Sequence, residues 1–156
     1  MPRRSTQLKT ATKVALRRLK QVGEDPTRLD RPFRAVVVVS NVQGIVENGG
    51  FEYLFEKDLA GQPPYSFVAD AYREIGAHTA AECLEAAVAL FPFDEPHLWA
   101  ARRRELMAST DNNRMLAALS RQMWSSGVWN SLEQYVAEHL EHFNSVWWWT
   151  TIGGSG

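Results

Sequence analysis

Apolar residues recur along this chain at helical rather than strand spacing. Over residues 6–22, Leu8, Thr12, Ala15, Leu19 and Val22 fall on one stripe, while Lys9, Lys13, Arg17 and Lys20 fall on another to its side. That is the pattern of an amphipathic helix. Gly23 suits its end, and Asp25-Pro26 opens a loop. Residues 31–47 pull two ways. The run Val36-Val37-Val38-Val39 favours a strand locally, whereas the continuation Ser40 to Val46 fits a helix with Val38, Val42, Ile45 and Val46 on its apolar side. A lone strand over 33–39 would leave its backbone groups without partners, so a buried helix is predicted, with Asp30 as cap and Pro32 in the first turn. Asn48-Gly49-Gly50 is expected to break that helix. A second short helix then turns Phe51, Leu54 and Phe55 inward and ends at Gly61-Gln62-Pro63-Pro64.

The same periodicity predicts a helix over 65–75, with Phe67, Val68, Ala71, Tyr72 and Ile75 inward and Gly76 as its stop. Thr79 and Glu82 have capping-box spacing before a helix that runs through Leu90. Its face is Ala80, Cys83, Leu84, Ala87, Val88 and Phe91, and Pro92 terminates it. Helices over 97–108 and 111–125 follow. Ser131 and Gln134, again at capping-box spacing, open a last helix to about Phe143, facing inward with Leu132, Tyr135, Val136, His139, Leu140 and Phe143. No hairpin signal, internal repeat or low-complexity stretch interrupts the series. The expectation is an all-α fold, a compact bundle of seven to eight short helices with no sheet, built as a single domain over residues 1–152. Gly153 to Gly156 read as a flexible tail.

Length and composition agree with this picture. At 156 residues and 45% apolar content the chain can bury a core without staples. The single cysteine, Cys83, rules out an intramolecular disulfide and a thiolate cage. No apolar h-region follows Met1-Pro2-Arg3-Arg4, and no run approaches the ~18 apolar residues that a membrane span needs. Cytoplasmic residence is therefore expected.

Charge changes the picture more. The total is −1, but residues 1–34 carry +7, residues 35–98 carry −8 and residues 99–156 carry 0. Either the basic end lies against the acidic middle and neutralises it, or the two present separate interaction surfaces.

The stretch Val42-Gln43-Gly44-Ile45-Val46-Glu47-Asn48-Gly49-Gly50-Phe51-Glu52-Tyr53-Leu54-Phe55 resembles the signature of the DNA-mimic-protein-like family, helical bacterial domains mostly of unknown function. The likeness continues through Ile75-Gly76-Ala77 and Leu90-Phe91-Pro92, each at a helix end, and covers roughly residues 31–143. Asn48-Gly49-Gly50-Phe51 is its most specific piece. The resemblance implies an acidic surface that imitates a nucleic-acid backbone and occupies a DNA-binding protein. In this chain the acidity is concentrated in the middle segment rather than spread over the whole.

Asn48, Gly49, Gly50 and Phe51 are read as a structural turn, where glycine permits a tight corner and Phe51 anchors the core. Glu47, Glu52, Glu56, Asp58, Asp70 and Glu74 are the candidate protein-binding face. Glu52 and Glu56 lie one turn apart, as do Asp70 and Glu74, so each pair shares a side of its helix. Lys9, Lys13, Arg17 and Lys20, with Arg3, Arg4 and Arg18, form a basic surface able to meet nucleic acid or an acidic partner, and Arg102-Arg103-Arg104 is a second small cluster. His139 and His142 stand three apart on one helix, a spacing compatible with a metal-dependent enzyme, although no third ligand has convincing spacing. Cys83 among Ala and Leu reads as a buried inert thiol. Trp147-Trp148-Trp149 cannot all enter one core, so this end is a candidate for self-association. No nucleophile, P-loop or zinc signature is present. The reading is a non-enzymatic protein-interaction domain that needs no cofactor or metal. It binds a basic, DNA-binding protein through its acidic face, with nucleic-acid binding through the N-terminal helix and metal chemistry at His139 and His142 as alternatives.

Overall fold

The computed structural model describes residues 4–143. Trp147 to Trp149, the tail and Arg3 lie outside them. Among the described residues there is no strand. The helices are α1 (Thr6–Gln21), α2 (Arg31–Glu56), α3 (Tyr65–Glu74), α4 (His78–Val88), α5 (Ala100–Met107), α6 (Thr110–Trp124) and α7 (Val128–Glu138). Short 3-10 turns at Pro26–Arg28 and Pro96–Leu98 precede α2 and α5. Residues 140–143 are again helical.

The valine run is helical because α2 is the central element. Helices α1, α3, α5, α6 and α7 all pack on it, and α4 closes the bundle against α3 and α6. Val36, Val37, Val38 and Val39 point to different sides of the helix yet all are buried. Only burial all round accommodates such a run, and tertiary surroundings override the strand preference of valine. Inside this core the Tyr72 hydroxyl donates to Gln43 Oε1 at 3.0 Å. Phe55 meets the rings of Phe91 and Tyr65 edge-on, with centroids 4.9 and 5.3 Å apart.

Helix α1 docks through Leu8, Ala11, Val14 and Ala15. Ala11 and Val14 thus replace Thr12 in the expected stripe, because the contact with α2 and α7 is centred slightly to one side of it. Ser5 caps α1 by accepting from the Leu8 amide at 3.1 Å. The Ser5 amide itself donates to Glu133 Oε1 at 2.7 Å, which ties the start of α1 to α7.

Neither expected capping box forms. Helix α4 begins at His78 after Ala77, and α7 begins at Val128 after Gly127, so Thr79 and Ser131 already lie inside helices. Asp30 does precede α2 but makes no side-chain cap. At α4 and α7 the helix thus starts ahead of the local signal, whereas at α2 the position is as expected and only the side-chain bond is missing. The predicted break is also narrower than expected: Asn48 and Gly49 remain helical, and α2 continues to Glu56 with one non-helical residue, Gly50.

Candidate functional site

The bend at Gly50 shapes a surface with a cleft on either side. Gly50 has φ 73° and ψ −173°, a combination essentially confined to glycine. A bend of this kind frees backbone groups that a straight helix would pair. Here α6 supplies the partners, and α7 adds a bond to a side chain. The Phe51 amide donates to Ser120 Oγ at 3.0 Å, and Ser120 Oγ donates to the Leu116 carbonyl at 2.7 Å. The Val46 carbonyl accepts from Trp124 Nε1 at 2.9 Å. Trp129 Nε1 donates to the Glu47 carboxylate at 2.8 and 3.0 Å. Space is equally tight: a Cβ on Gly50 would sit 3.0 Å from Ser120 Oγ, and one on Gly49 only 2.6 Å from Tyr53 Cβ. Asn48-Gly49-Gly50-Phe51 is thus a buttressed bend, with Phe51 fully buried behind it.

Two clefts flank the bend. One, of about 240 Å³, runs between α2 and α6 and is bordered by Gly50, Glu52, Asn113, Ser120 and Trp124. The other, of about 530 Å³, lies over α2 and α5 and is bordered by Glu52, Tyr53, Glu56, Arg104 and Met107. Gly49, Glu52 and Asn113 border both. Glu52 and Glu56 are exposed, and neither forms an ion pair among the described residues. Arg104 beside them gives its guanidinium to the Glu56 backbone carbonyl instead, at 3.0 Å. Tyr53 and Trp124 at the edges are 44% and 46% exposed, high for aromatic side chains.

The other four acidic residues of the predicted face do not join this pair. Glu47 is held by Trp129. Asp58 receives Arg103 Nη2 at 2.8 Å, and that hydrogen bond, with the guanidinium charge, holds its carboxyl below the usual carboxylate range. Glu74 accepts from the Tyr135 hydroxyl at 2.6 Å and lies 3.9 Å from Arg31. Burial, reinforced by this bond to Glu74, pushes the Tyr135 phenol well up. Asp70 is exposed on α3, where it contributes with Glu82 to the field around Arg73, whose guanidinium bonds Glu85 across to α4. Glu82 and Glu85 were missing from the predicted face, since nothing in the local pattern announces that α3 and α4 pack together.

Sequence reasoning also missed Arg103. Read as one member of a basic cluster, it is fully buried. Its guanidinium donates to the carbonyls of Phe55 (2.9 Å), Lys57 (3.2 Å) and Pro96 (2.7 Å) as well as to Asp58. It satisfies the otherwise unpaired carbonyls at the end of α2 and locks α5 to them. One buried cation in three consecutive arginines has no sequence signature.

At the other candidate sites, Lys9, Lys13, Arg17 and Lys20 are all exposed, and among the described residues no ion pair joins α1 to residues 35–98. The cations of α1 are thus not neutralised by ion pairs with the acidic middle, although Arg31, at the start of α2, lies 3.9 Å from Glu74. His139 Nδ1 lies 2.7 Å from the Tyr135 carbonyl, and its ring stacks on Tyr135. Among the described residues no group of three His, Cys, Asp or Glu side chains gathers there or elsewhere as a metal site would require. Cys83 is buried, and burial raises its thiol pKa. No helix among the described residues is long and apolar enough to cross a membrane.

Comparison with known proteins adds one finding. The family model described as DMP19-like protein matches residues 27–139. That range contains the bend, both clefts and every acidic residue of the predicted face, while α1 lies outside it. Neither the curated proteins nor the solved structures give a match.

Proposed function

The chain belongs to the DMP19-like protein family, the DNA-mimic group whose signature residues 42–55 carry, and on that premise we propose that it is a non-enzymatic interaction domain that binds a basic, DNA-binding protein. The observation that carries the reading is the Glu52–Glu56 pair. Two carboxylates one helical turn apart, roughly 5–6 Å between Cβ atoms, repel each other mildly. Both are exposed, and among the described residues neither has an ion-pair partner. They border clefts edged by the exposed aromatics Tyr53 and Trp124. Unpaired charge beside exposed aromatic rings is the composition of a protein interface, where charge steers the encounter and rings supply contact energy.

Within the face expected from sequence, contact falls to Glu52 and Glu56, while Asp70 lies in a separate cleft beside Arg31, Arg34 and Arg73. Glu47, Asp58 and Glu74 act as struts, since their carboxylates are occupied by Trp129, Arg103 and Tyr135. The partner's basic surface meets the acidic side as it would meet a phosphate row. A domain working this way needs neither cofactor nor membrane, and a cytoplasmic location suits a DNA-binding partner.

Capture of proteins from the native host on the immobilised full chain tests this. The parent chain is expected to retain a DNA-binding protein that added duplex DNA releases. The variant Glu52→Lys/Glu56→Lys is expected to lose it. Equal capture by both chains would overturn the proposal.

A further inference from the structure

The feature left unused by this reading is the outer side of α1. Counting 100° per residue, Lys9, Lys13, Arg17 and Lys20 fall within about 80° of the helix circumference, nearly opposite the buried Leu8, Ala11, Val14 and Ala15. At 1.5 Å rise per residue the four cations form a straight row about 17 Å long, with neighbours about 6 Å apart along the axis between Lys9, Lys13 and Arg17. All four are exposed, and no acidic side chain among the described residues pairs with them. The row is also held rigidly, because α1 is docked on α2 and α7 and capped by Ser5, which Glu133 anchors.

We infer that this stripe is a second binding surface, for the sugar-phosphate backbone of a nucleic acid, distinct from the acidic side and independent of the function proposed for it. A regular row of cations suits a regular row of phosphates, and long flexible side chains suit contact that is indifferent to sequence. Two other polyanionic partners fit less well. A membrane surface would need apolar residues to enter the lipid. The apolar side of α1 is occupied by the core, leaving only Leu16 exposed. An acidic protein would need anchoring side chains at the centre of the contact, and the stripe presents no aromatic residue. The same molecule thus carries a phosphate-like side and a phosphate-binding side.

The test is fluorescence anisotropy with the full chain and two labelled DNA duplexes of unrelated sequence, alongside phosphatidylserine vesicles. Binding to both duplexes with similar affinity is expected at about 50 mM salt. Four phosphate contacts imply a loss on the order of 10²-fold by about 200 mM. The variant Lys9→Glu/Lys13→Glu/Arg17→Glu, whose substitutions are confined to the exposed side, is expected to bind at least about tenfold more weakly. Its thermal transition is expected to stay near that of the parent. The inference is overturned if neither duplex binds at low salt, if the triple variant binds as the parent does, or if vesicles are bound more tightly than the duplexes.

Discussion

Glu56 and Asp58 stand two residues apart where α2 ends, carry the same charge and are both exposed to solvent, yet they have different tasks. Asp58 lies against a guanidinium that is fully buried and already bonded to three backbone carbonyls. Glu56 lies beside Arg104, whose guanidinium is turned to a carbonyl and leaves the carboxylate unpaired. One acid completes an internal network and the other is left for a partner. The difference teaches that acidity along a helix becomes a binding surface only where no donor from a neighbouring element has claimed it.

That comparison is broken most severely by removing the donor. Arg103→Ala strips the end of α2 of its partner and leaves a cavity between α2 and α5. A loss of about 3–5 kcal/mol, the range for destroying a buried charged network, is expected in urea unfolding. Gly50→Ala attacks the bend that sets Glu52 apart from the first half of α2. It forces alanine into a glycine-only conformation at a cost of about 1–3 kcal/mol, and the new Cβ meets Ser120 Oγ at 3.0 Å. Thermal unfolding should show the full effect, together with weaker partner capture. Ser120→Ala removes the same contact from the other side and leaves the buried Phe51 amide unpaired, an expected loss of about 1–3 kcal/mol.

Smaller changes sharpen the distinction between struts and contact acids. Asp58→Asn should cost less than about 1 kcal/mol, because the carboxylate is 40% exposed and screened by solvent. Its pKa is lowered in the folded chain, so its stabilisation is complete above the unfolded carboxyl value of about 3.9 and is lost as pH falls through the lower folded value. Comparing acid unfolding of Asp58→Asn with that of the parent should therefore show the stability gap closing below about pH 4. Glu52→Gln/Glu56→Gln should stay within about 0.5 kcal/mol of the parent in the same assays while weakening partner capture. A large destabilisation by this last pair would make Glu52 and Glu56 struts as well and erase the distinction.

Much of the architecture was legible in the chain. The 3.6-residue period placed α1, α3 and α6 within a residue or so of their observed bounds, and Asn48-Gly49-Gly50 marked a break that the structure narrows to Gly50. Helix starts at α4 and α7 were misplaced, because a capping box is a local preference that the packing of a preceding turn outweighs. The site was legible only as a supply of carboxylates. Which of Glu47, Glu52, Glu56, Asp58, Asp70 and Glu74 remain available depended on Trp129, Arg103 and Tyr135, residues separated from them by about 45 to 82 positions. No short-range pattern encodes such pairings.

By itself the sequence determined the helical class, the family and the uneven charge, since all three reside in residue order: the period of apolar positions, the Asn48 to Phe51 motif and the placement of Lys, Arg, Asp and Glu. The tertiary structure alone decided that α1 leaves its cations exposed, that Arg103 is an internal clamp rather than a surface charge, and that Glu52 and Glu56 stand exposed without an ion pair among the described residues. The physical reason is range. Helical periodicity acts over one or two turns, whereas burial and charge pairing act between elements that meet only when the bundle closes.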